Sequence, residues 1–83
     1  MKYASAGTLE SNDCLITIEP SDTTVITIES IVFEQFGDQI KKVIETWLTQ
    51  HNLHLFVHIQ DKGALDYTIL ARLATAVRRL EDM

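Results

Sequence analysis

One serine, Ser11, lies in a short polar turn between two apolar, strand-like runs of the chain. A serine alkoxide can displace pyrophosphate from an activated precursor and leave a stable phosphodiester. Surface turns are accessible to a modifying enzyme, and the strands on either side would hold the position of the hydroxyl. Because no residue next to Ser11 is suited to deprotonate it, a separate transferase would have to supply the base. Residue type alone favours an ordinary turn residue, so this interpretation needs further support.

The two acids that flank the serine, Glu10 and Asp13, admit two interpretations. A transferase could recognise them as a docking signal, or they could be exposed acids of the turn. For Asp13 we favour a structural role in closing the hairpin, and for Glu10 both roles stay open. Neither acid is expected to act as a general acid or base, because a carboxylate would repel a neighbouring phosphodiester.

Other residue types that could do chemistry give weaker signals. His54 and His58 lie on one face of a predicted strand but about 13 Å apart along it, too far for one metal ion. His51 follows a predicted helix and can interact with its free carbonyl groups. Cys14 is the only cysteine. We expect it to be a small buried apolar residue rather than a catalytic thiol.

Composition limits the class of protein. The chain has 83 residues and an apolar fraction of 46%, so we expect one globular domain, residues 1–83. The net charge is −5, and only one of the seven bases, Lys2, precedes residue 39. This acidic first half opposes nucleic-acid binding. It could steer the chain to basic patches on protein partners, or it could be an ordinary solvated surface.

No apolar run is long enough for a membrane span. The N-terminus lacks the apolar core of a signal peptide, so a cytoplasmic location is expected.

The first half of the chain is predicted to form strands. Residues 3–10 form a weaker candidate, and residues 15–19 and 24–29 are rich in β-branched residues on alternating faces. Asn12 tolerates the left-handed backbone that tight turns require. Pro20, Ser21 and Asp22 are typical of a turn, so the second and third strands are predicted to form an antiparallel hairpin.

The second half alternates between helix and strand. A helix is predicted from an N-cap at Asp38 to about His51, and residues 31–36 before it are a strand end or an irregular turn. Residues 53–59 alternate as a strand, and a last helix follows with Asp66 as its cap. Phe56 lies on the polar strand face, whereas the other large aromatic residues are candidates for the core: Phe33, Phe36, Trp47 and Tyr67. The order β-β-β-α-β-α predicts an α+β fold, a small two-layer domain. Its sheet is mainly antiparallel, with two helices packed on one face.

Two segments resemble the acyl carrier (gamma) subunit of citrate lyase. They are Gly7-Thr8-Leu9-Glu10-Ser11-x-Asp13 and the run from Asp61-Lys62-Gly63 to Ile69-Leu70-Ala71-Arg72-Leu73. The second segment also has a local explanation, as a strand exit, a glycine turn and a helix start. Lys62 is either a solvated loop residue or a contact for a negatively charged group. Ala74 departs from the family pattern, which has an acid there.

The resemblance implies a function for Ser11. In that family the matching serine carries 2'-(5''-phosphoribosyl)-3'-dephospho-CoA on a phosphodiester, as a covalently attached prosthetic group. The thiol of the group holds acetyl and citryl thioesters, which pass between the alpha (transferase) and beta (lyase) subunits while citrate is cleaved to oxaloacetate and acetate. A prosthetic-group transferase would be a further partner. The chain would then be a carrier without catalytic activity of its own.

Two rival interpretations stay open. The carrier subunit of a related malonate decarboxylase would also be modified on serine, and only its partners would distinguish it. An unmodified α+β protein-interaction domain would leave the Ser11 hydroxyl free. A stand-alone enzyme is disfavoured, because the sequence has no catalytic triad, P-loop or paired catalytic carboxylates.

Overall fold

The computed structural model describes residues 2–83. Its elements, in chain order, are β1 (Ala4–Gly7), β2 (Cys14–Pro20), β3 (Val25–Ser30), α1 (Phe33–Gln50), β4 (Leu55–Asp61) and α2 (Asp66–Glu81). The predicted order and the α+β class are confirmed. In the described part of the chain, no helix is both long and apolar enough to cross a membrane.

The four strands form one mixed sheet in the order β1-β2-β4-β3. β1 pairs with β2 and β2 pairs with β4 in antiparallel fashion, whereas β3 and β4 are parallel. The sheet is therefore mainly antiparallel, as predicted, but the predicted hairpin between β2 and β3 is wrong. The segment after Pro20 leaves room for β4, which lies between those two strands.

The reason for this arrangement is the connection through α1. β3, α1 and β4 form a crossover unit, and such a unit places its two strands in parallel. β4 lies between β2 and β3, and every second residue along it is buried against the helices. β3, with no fully buried residue, occupies the edge. A turn-like sequence between two strands does not reveal whether a third strand will insert between them.

Both helices pack on one face of the sheet and enclose a single apolar core. On the sheet side, Ile16, Ile18, Val57 and Ile59 are fully buried. From α1 come Ile40, Ile44 and Leu48, and from α2 come Ile69, Leu73, Ala76, Val77 and Leu80. The helical stripes read from the sequence therefore face the sheet as expected.

The start of α1 differs from the prediction. The helix begins at Phe33, and Asp38 lies within it rather than at its N-cap; the structural N-cap is Val32, without a side-chain capping bond. Ser30 Oγ accepts a hydrogen bond of 3.1 Å from the Val32 amide and so shapes the turn before the helix. The residues left ambiguous by the sequence, 31–36, are thus a short turn followed by the first helical turn.

The start of α2 also differs in detail. Leu65 occupies the N-cap, and Asp66 is the first helical residue rather than the cap. The Asp66 carboxylate instead accepts hydrogen bonds of 3.2 and 3.1 Å from Gln39 Nε2, which tie α2 to α1. Its negative charge in the first turn still suits the helix dipole.

Three of the four aromatic residues expected in the core are not there. Phe33, Phe36 and Tyr67 are 53%, 46% and 72% exposed. Trp47 is half-buried and stacks on the His51 ring, with 3.9 Å between the centroids. The apolar core is filled without these rings, because aliphatic residues from the sheet and the helices already occupy it.

Candidate functional site: the Ser11 turn

Ser11 lies exposed in the turn that joins β1 to β2. The Asp13 amide donates a 3.2 Å hydrogen bond to the Glu10 carbonyl, which closes the turn. Asn12 adopts a left-handed backbone with φ of 66°, as its residue type predicted. The hydrogen bonds formed by residues 2–83 do not engage the Ser11 hydroxyl, which leaves its oxygen available for reaction.

The carboxylate of Asp13 organises the turn from inside. Its Oδ2 accepts a 2.7 Å hydrogen bond from Thr8 Oγ1, and its Oδ1 accepts one of 2.7 Å from the Cys14 amide. The bond from Thr8 links the two ends of the turn across Ser11. The structural role preferred for Asp13 from the sequence agrees with this geometry.

Arg72 holds the same carboxylate from α2. Its Nε donates to Asp13 Oδ1 at 3.0 Å and its Nη2 donates to Oδ2 at 2.7 Å, a two-point ion pair. This guanidinium, together with the Thr8 and Cys14 donors, holds the pKa of Asp13 well below its ordinary value. The carboxylate in turn raises the pKa of Arg72. The turn is therefore fixed to the helix layer through an ionised pair at neutral pH.

Sequence reasoning did not identify Arg72 as part of this site. The residue lies in the Ile69–Leu73 segment that resembles the family, but its partner is 59 positions away along the chain. Only the docking of α2 on β1 and β2 brings the two side chains together. A lone arginine in a helix with one polar face gives no local sign of such a pairing.

The loop after β4 supports the other side of the turn. The Asn12 amide donates to the Lys62 carbonyl at 2.8 Å, and the Lys62 amide donates to the Asp13 carbonyl at 2.9 Å. These two bonds extend the pairing of β2 with β4 into the turn itself. Both segments that resembled the citrate lyase carrier therefore meet at Ser11, and Lys62 lies beside the turn.

The buried carboxylate of Asp61 anchors this loop. Asp61 is only 2% exposed; its Oδ2 accepts from Ser30 Oγ at 2.7 Å and its Oδ1 accepts from the Ala64 amide at 2.9 Å. Gly63 follows with φ of 92°, a conformation that favours glycine. The loop that carries Lys62 is thus held from both ends.

Gly7 is required at the entry to the turn. Its φ is 107°, and a Cβ atom built on it would lie 1.8 Å from the Cys14 carbonyl oxygen. Only glycine permits this close approach of β1 to β2 just before the turn. The glycine of the Gly-Thr-Leu-Glu-Ser segment therefore has a steric explanation in this structure.

Cys14, directly after the turn, is fully buried. Burial, with a further contribution from the charges of Asp13 and Asp61, raises the pKa of its thiol to about 12. A thiol that stays protonated at neutral pH is a poor nucleophile. The expectation of a buried apolar cysteine is confirmed, and the reactive candidate in this region is the Ser11 oxygen.

The histidines lie away from the turn. His51 Nδ1 donates to the Trp47 carbonyl at 2.8 Å, as expected for a residue past the helix end. His58 pairs with Glu29 on the open face of the sheet. Among residues 2–83, no group of three or more histidine, cysteine, aspartate or glutamate side chains could hold a metal ion.

Comparison with known proteins identifies the family of the chain. A family model described as malonate decarboxylase delta subunit (MdcD) matches residues 1–80. The citrate lyase acyl carrier protein of Treponema denticola is 48% identical over 98% of this chain and 94% of its own length. That of Streptococcus mutans is 52% identical over 92% of this chain and 78% of its own length. These matches define the class, an acyl carrier protein.

The chain belongs to the family of citrate lyase acyl carrier proteins. The resemblance read from its sequence is thereby confirmed, as is the prediction of a carrier rather than an enzyme. A crystal structure of a Pseudomonas malonate decarboxylase hetero-tetramer in complex with malonate contains a chain of the same fold. The TM-score is 0.82 at 20% identity, covering 95% of this chain and 84% of that one.

Proposed function

We propose that this chain is the acyl carrier subunit of citrate lyase and that Ser11 Oγ is the attachment point of its prosthetic group, phosphoribosyl-dephospho-CoA. One observation supports this most directly: an exposed serine, whose hydroxyl forms no hydrogen bond with residues 2–83, lies on a turn that two other segments, α2 and the loop after β4, hold in place.

The residues of the turn suit a tethered phosphodiester. Ser11 provides the ester oxygen, and the exposed turn leaves space for a transferase and for a long arm. Asp13 faces inward, where Arg72 neutralises its charge, so it does not repel the phosphate. Lys62 adds a positive charge beside the turn. When bound, the group would supply a thiol that carries acetyl and citryl groups as thioesters.

The chain contributes proximity rather than acid-base chemistry. A fixed attachment point at Ser11 keeps the arm tethered, which gives the thioester a high effective concentration at both partner active sites. The proposed partners are the alpha (transferase) and beta (lyase) subunits and the prosthetic-group transferase. A rigid turn makes the origin of the arm the same on every cycle.

The carrier role and its site can be tested by intact-protein mass spectrometry after co-production with the citrate lyase prosthetic-group transferase. We expect one added phosphoribosyl-dephospho-CoA, which is lost in Ser11→Ala. The matched control is Ser21→Ala, which removes a serine from the turn between β2 and β3. A bare wild-type chain in the presence of active transferase would favour the unmodified interaction domain instead.

The malonate decarboxylase alternative has support of its own, from the family model and from the shared fold. Curated relatives at 45–52% identity are citrate lyase carriers, which favours the first assignment. Reconstitution distinguishes the two. The modified chain should restore citrate cleavage to citrate lyase alpha and beta subunits, and it should not restore malonate decarboxylation to the corresponding decarboxylase subunits.

A further inference from the structure

Large apolar side chains lie exposed at the end of the molecule that carries the Ser11 turn. We call this surface the apolar end patch, and it consists of Leu9 (53% exposed), Ile31 (68%), Phe33 (53%), Phe36 (46%), Leu65 (60%) and Tyr67 (72%). They come from the turn itself, from the start of α1 and the residues just before it, and from the start of α2 and the loop before it. A helix start and a loop of this chain thus present apolar residues where polar ones would suffice.

Two depressions make the patch continuous with the turn. One, of about 430 Å³, is lined by Leu9, Ile31 and Lys62. The other, of about 460 Å³, is lined by Phe36, Leu65 and Tyr67. The loop of Asp61, Lys62 and Gly63 separates them, and this same loop is hydrogen-bonded to the turn. The patch therefore begins two residues from Ser11 and extends across the loop to both helices.

The charges around the patch are mostly negative. Glu29 lines the first depression, Asp66 lines the second, and Glu34 is exposed beside Phe33. Among the residues that line the two depressions, Lys62 is the one base. An exposed apolar surface with a polar rim is typical of a site that binds another molecule.

The apolar surface and its acidic rim distinguish between three occupants: the prosthetic arm, a second copy of the chain and a partner protein. The prosthetic arm carries phosphates and its citryl group carries carboxylates, which acidic residues repel. A second copy of the chain would bring the same acids face to face across a two-fold axis. A partner protein with an apolar centre and a basic rim satisfies both the apolar groups and the charges.

We propose that the apolar end patch is the surface that docks on the catalytic subunits of the lyase, an inference that rests on the proposed carrier function. The partner faces have an apolar centre and a basic rim. The position relative to Ser11 supports this. An arm attached at Ser11 has the shortest path into an active site when this end of the carrier faces its entrance. Docking through the patch would place the attachment point at that entrance.

The test measures binding of the modified chain to each purified catalytic subunit of citrate lyase by biolayer interferometry. The test variant is Phe36→Gln with Tyr67→Gln, two helix-compatible changes of exposed rings. The matched control is Phe56→Thr, which removes an aromatic residue of 39% exposure from the open face of the sheet. We expect the double variant to raise the Kd about tenfold or more, as for buried aromatic anchors, and the control to change it less than about twofold.

The charge part of the proposal has its own readout. Glu34→Lys should lower the association rate several-fold at low salt, and added salt should slow association of the wild type. An unchanged rate in both measurements would contradict a basic rim on the partner. Intact-mass analysis of every variant checks that the prosthetic group is still attached.

Several outcomes would overturn the docking proposal. These are wild-type affinity of the double variant, a larger loss for Phe56→Thr, or no binding of the wild type to either subunit. A concentration-dependent dimer that the double variant abolishes would assign the patch to a second copy. Hydrogen-exchange protection of residues 65–67 upon attachment of the arm would assign it to the arm. In each of these cases a normally modified Ser11 leaves the carrier function standing, whereas a wild type that is never modified overturns the carrier function itself.

Discussion

Arg72 and Asp13 are 59 residues apart in the chain, yet two hydrogen bonds of 3.0 and 2.7 Å join their side chains. The arginine belongs to α2 and the aspartate closes the turn that carries Ser11. The pair is therefore the one side-chain ion pair that connects the helix layer to the proposed attachment point in the described part of the chain. If it positions the turn for the transferase, its loss should affect modification more than it affects the fold.

Replacement of Arg72 by glutamine removes the charge and the two-point geometry. We expect the transferase to modify this variant about tenfold more slowly, because charge-assisted, two-point bonds give both energy and geometry. Arg78→Gln is the control, since it removes the same charge from an exposed position of the same helix. The rates are read from the mass of the chain over time, with circular dichroism to confirm folding. Equal rates for both variants would show that the backbone bonds to Lys62 suffice to hold the turn.

The ion pair between Asp13 and Arg72 also predicts how the stability of the fold responds to acid. The pKa of Asp13 is lower in the folded chain than the value of about 3.9 for an unfolded aspartate, so unfolding takes up a proton in acid. Its stabilising contribution is complete above that unfolded pKa and is lost as the pH falls toward the folded pKa. The melting temperature should therefore fall below about pH 5, and Asp13→Asn should be less stable at pH 7 but lose less on acidification. Parallel curves for the two proteins would exclude Asp13 as a source of the acid sensitivity.

Much of the architecture could be predicted from local patterns. The alternation of residues 15–19 and 53–59 and the apolar helical faces of α1 and α2 each identify a buried face, because burial of one face imposes a period on the sequence. The pairing of β3 could not be predicted in this way. A turn after Pro20 fits either a hairpin or a strand that leaves space for β4, and only the packing of α1 decides between them.

The candidate site shows the same limit. Asn12 could be predicted as a turn residue because turn chemistry is local, and it does adopt the left-handed backbone. The role proposed for Ser11 came from the family resemblance, because its residue type alone indicates only a turn. The Arg72 contact and the pairing of Lys62 with the turn depend on contacts between distant segments. The exposure of Phe33 and Tyr67 was also misjudged, since an aromatic residue near a helix start looks the same whether it faces a core or a partner.

The state of Cys14 provides a separate prediction about thiol chemistry. Its buried thiol, with a pKa raised to about 12, should not react with iodoacetamide at pH 8 in the folded chain. The unmodified chain should then show no fast-reacting thiol, and the modified chain should show one, which belongs to the arm. Unfolding in guanidinium should expose Cys14 in both forms. Rapid labelling of Cys14 in the folded, unmodified chain, located by peptide mapping, would contradict the burial described here.

Replacement by alanine should destabilise the chain at Gly7 but leave its stability nearly unchanged at Gly37. At Gly7 the new Cβ meets a backbone oxygen at 1.8 Å and the φ is 107°, so Gly7→Ala should lower the free energy of unfolding by at least about 2 kcal/mol. At Gly37, within α1, the new Cβ meets the Phe33 ring at 2.9 Å, and that exposed ring can move aside. The gain of about 1 kcal/mol in helix propensity should offset the contact, which leaves Gly37→Ala near the wild-type stability. Urea unfolding curves of the three proteins measure this difference, and a Gly7→Ala variant as stable as Gly37→Ala would show that β1 does not approach β2 as closely as the structure has it.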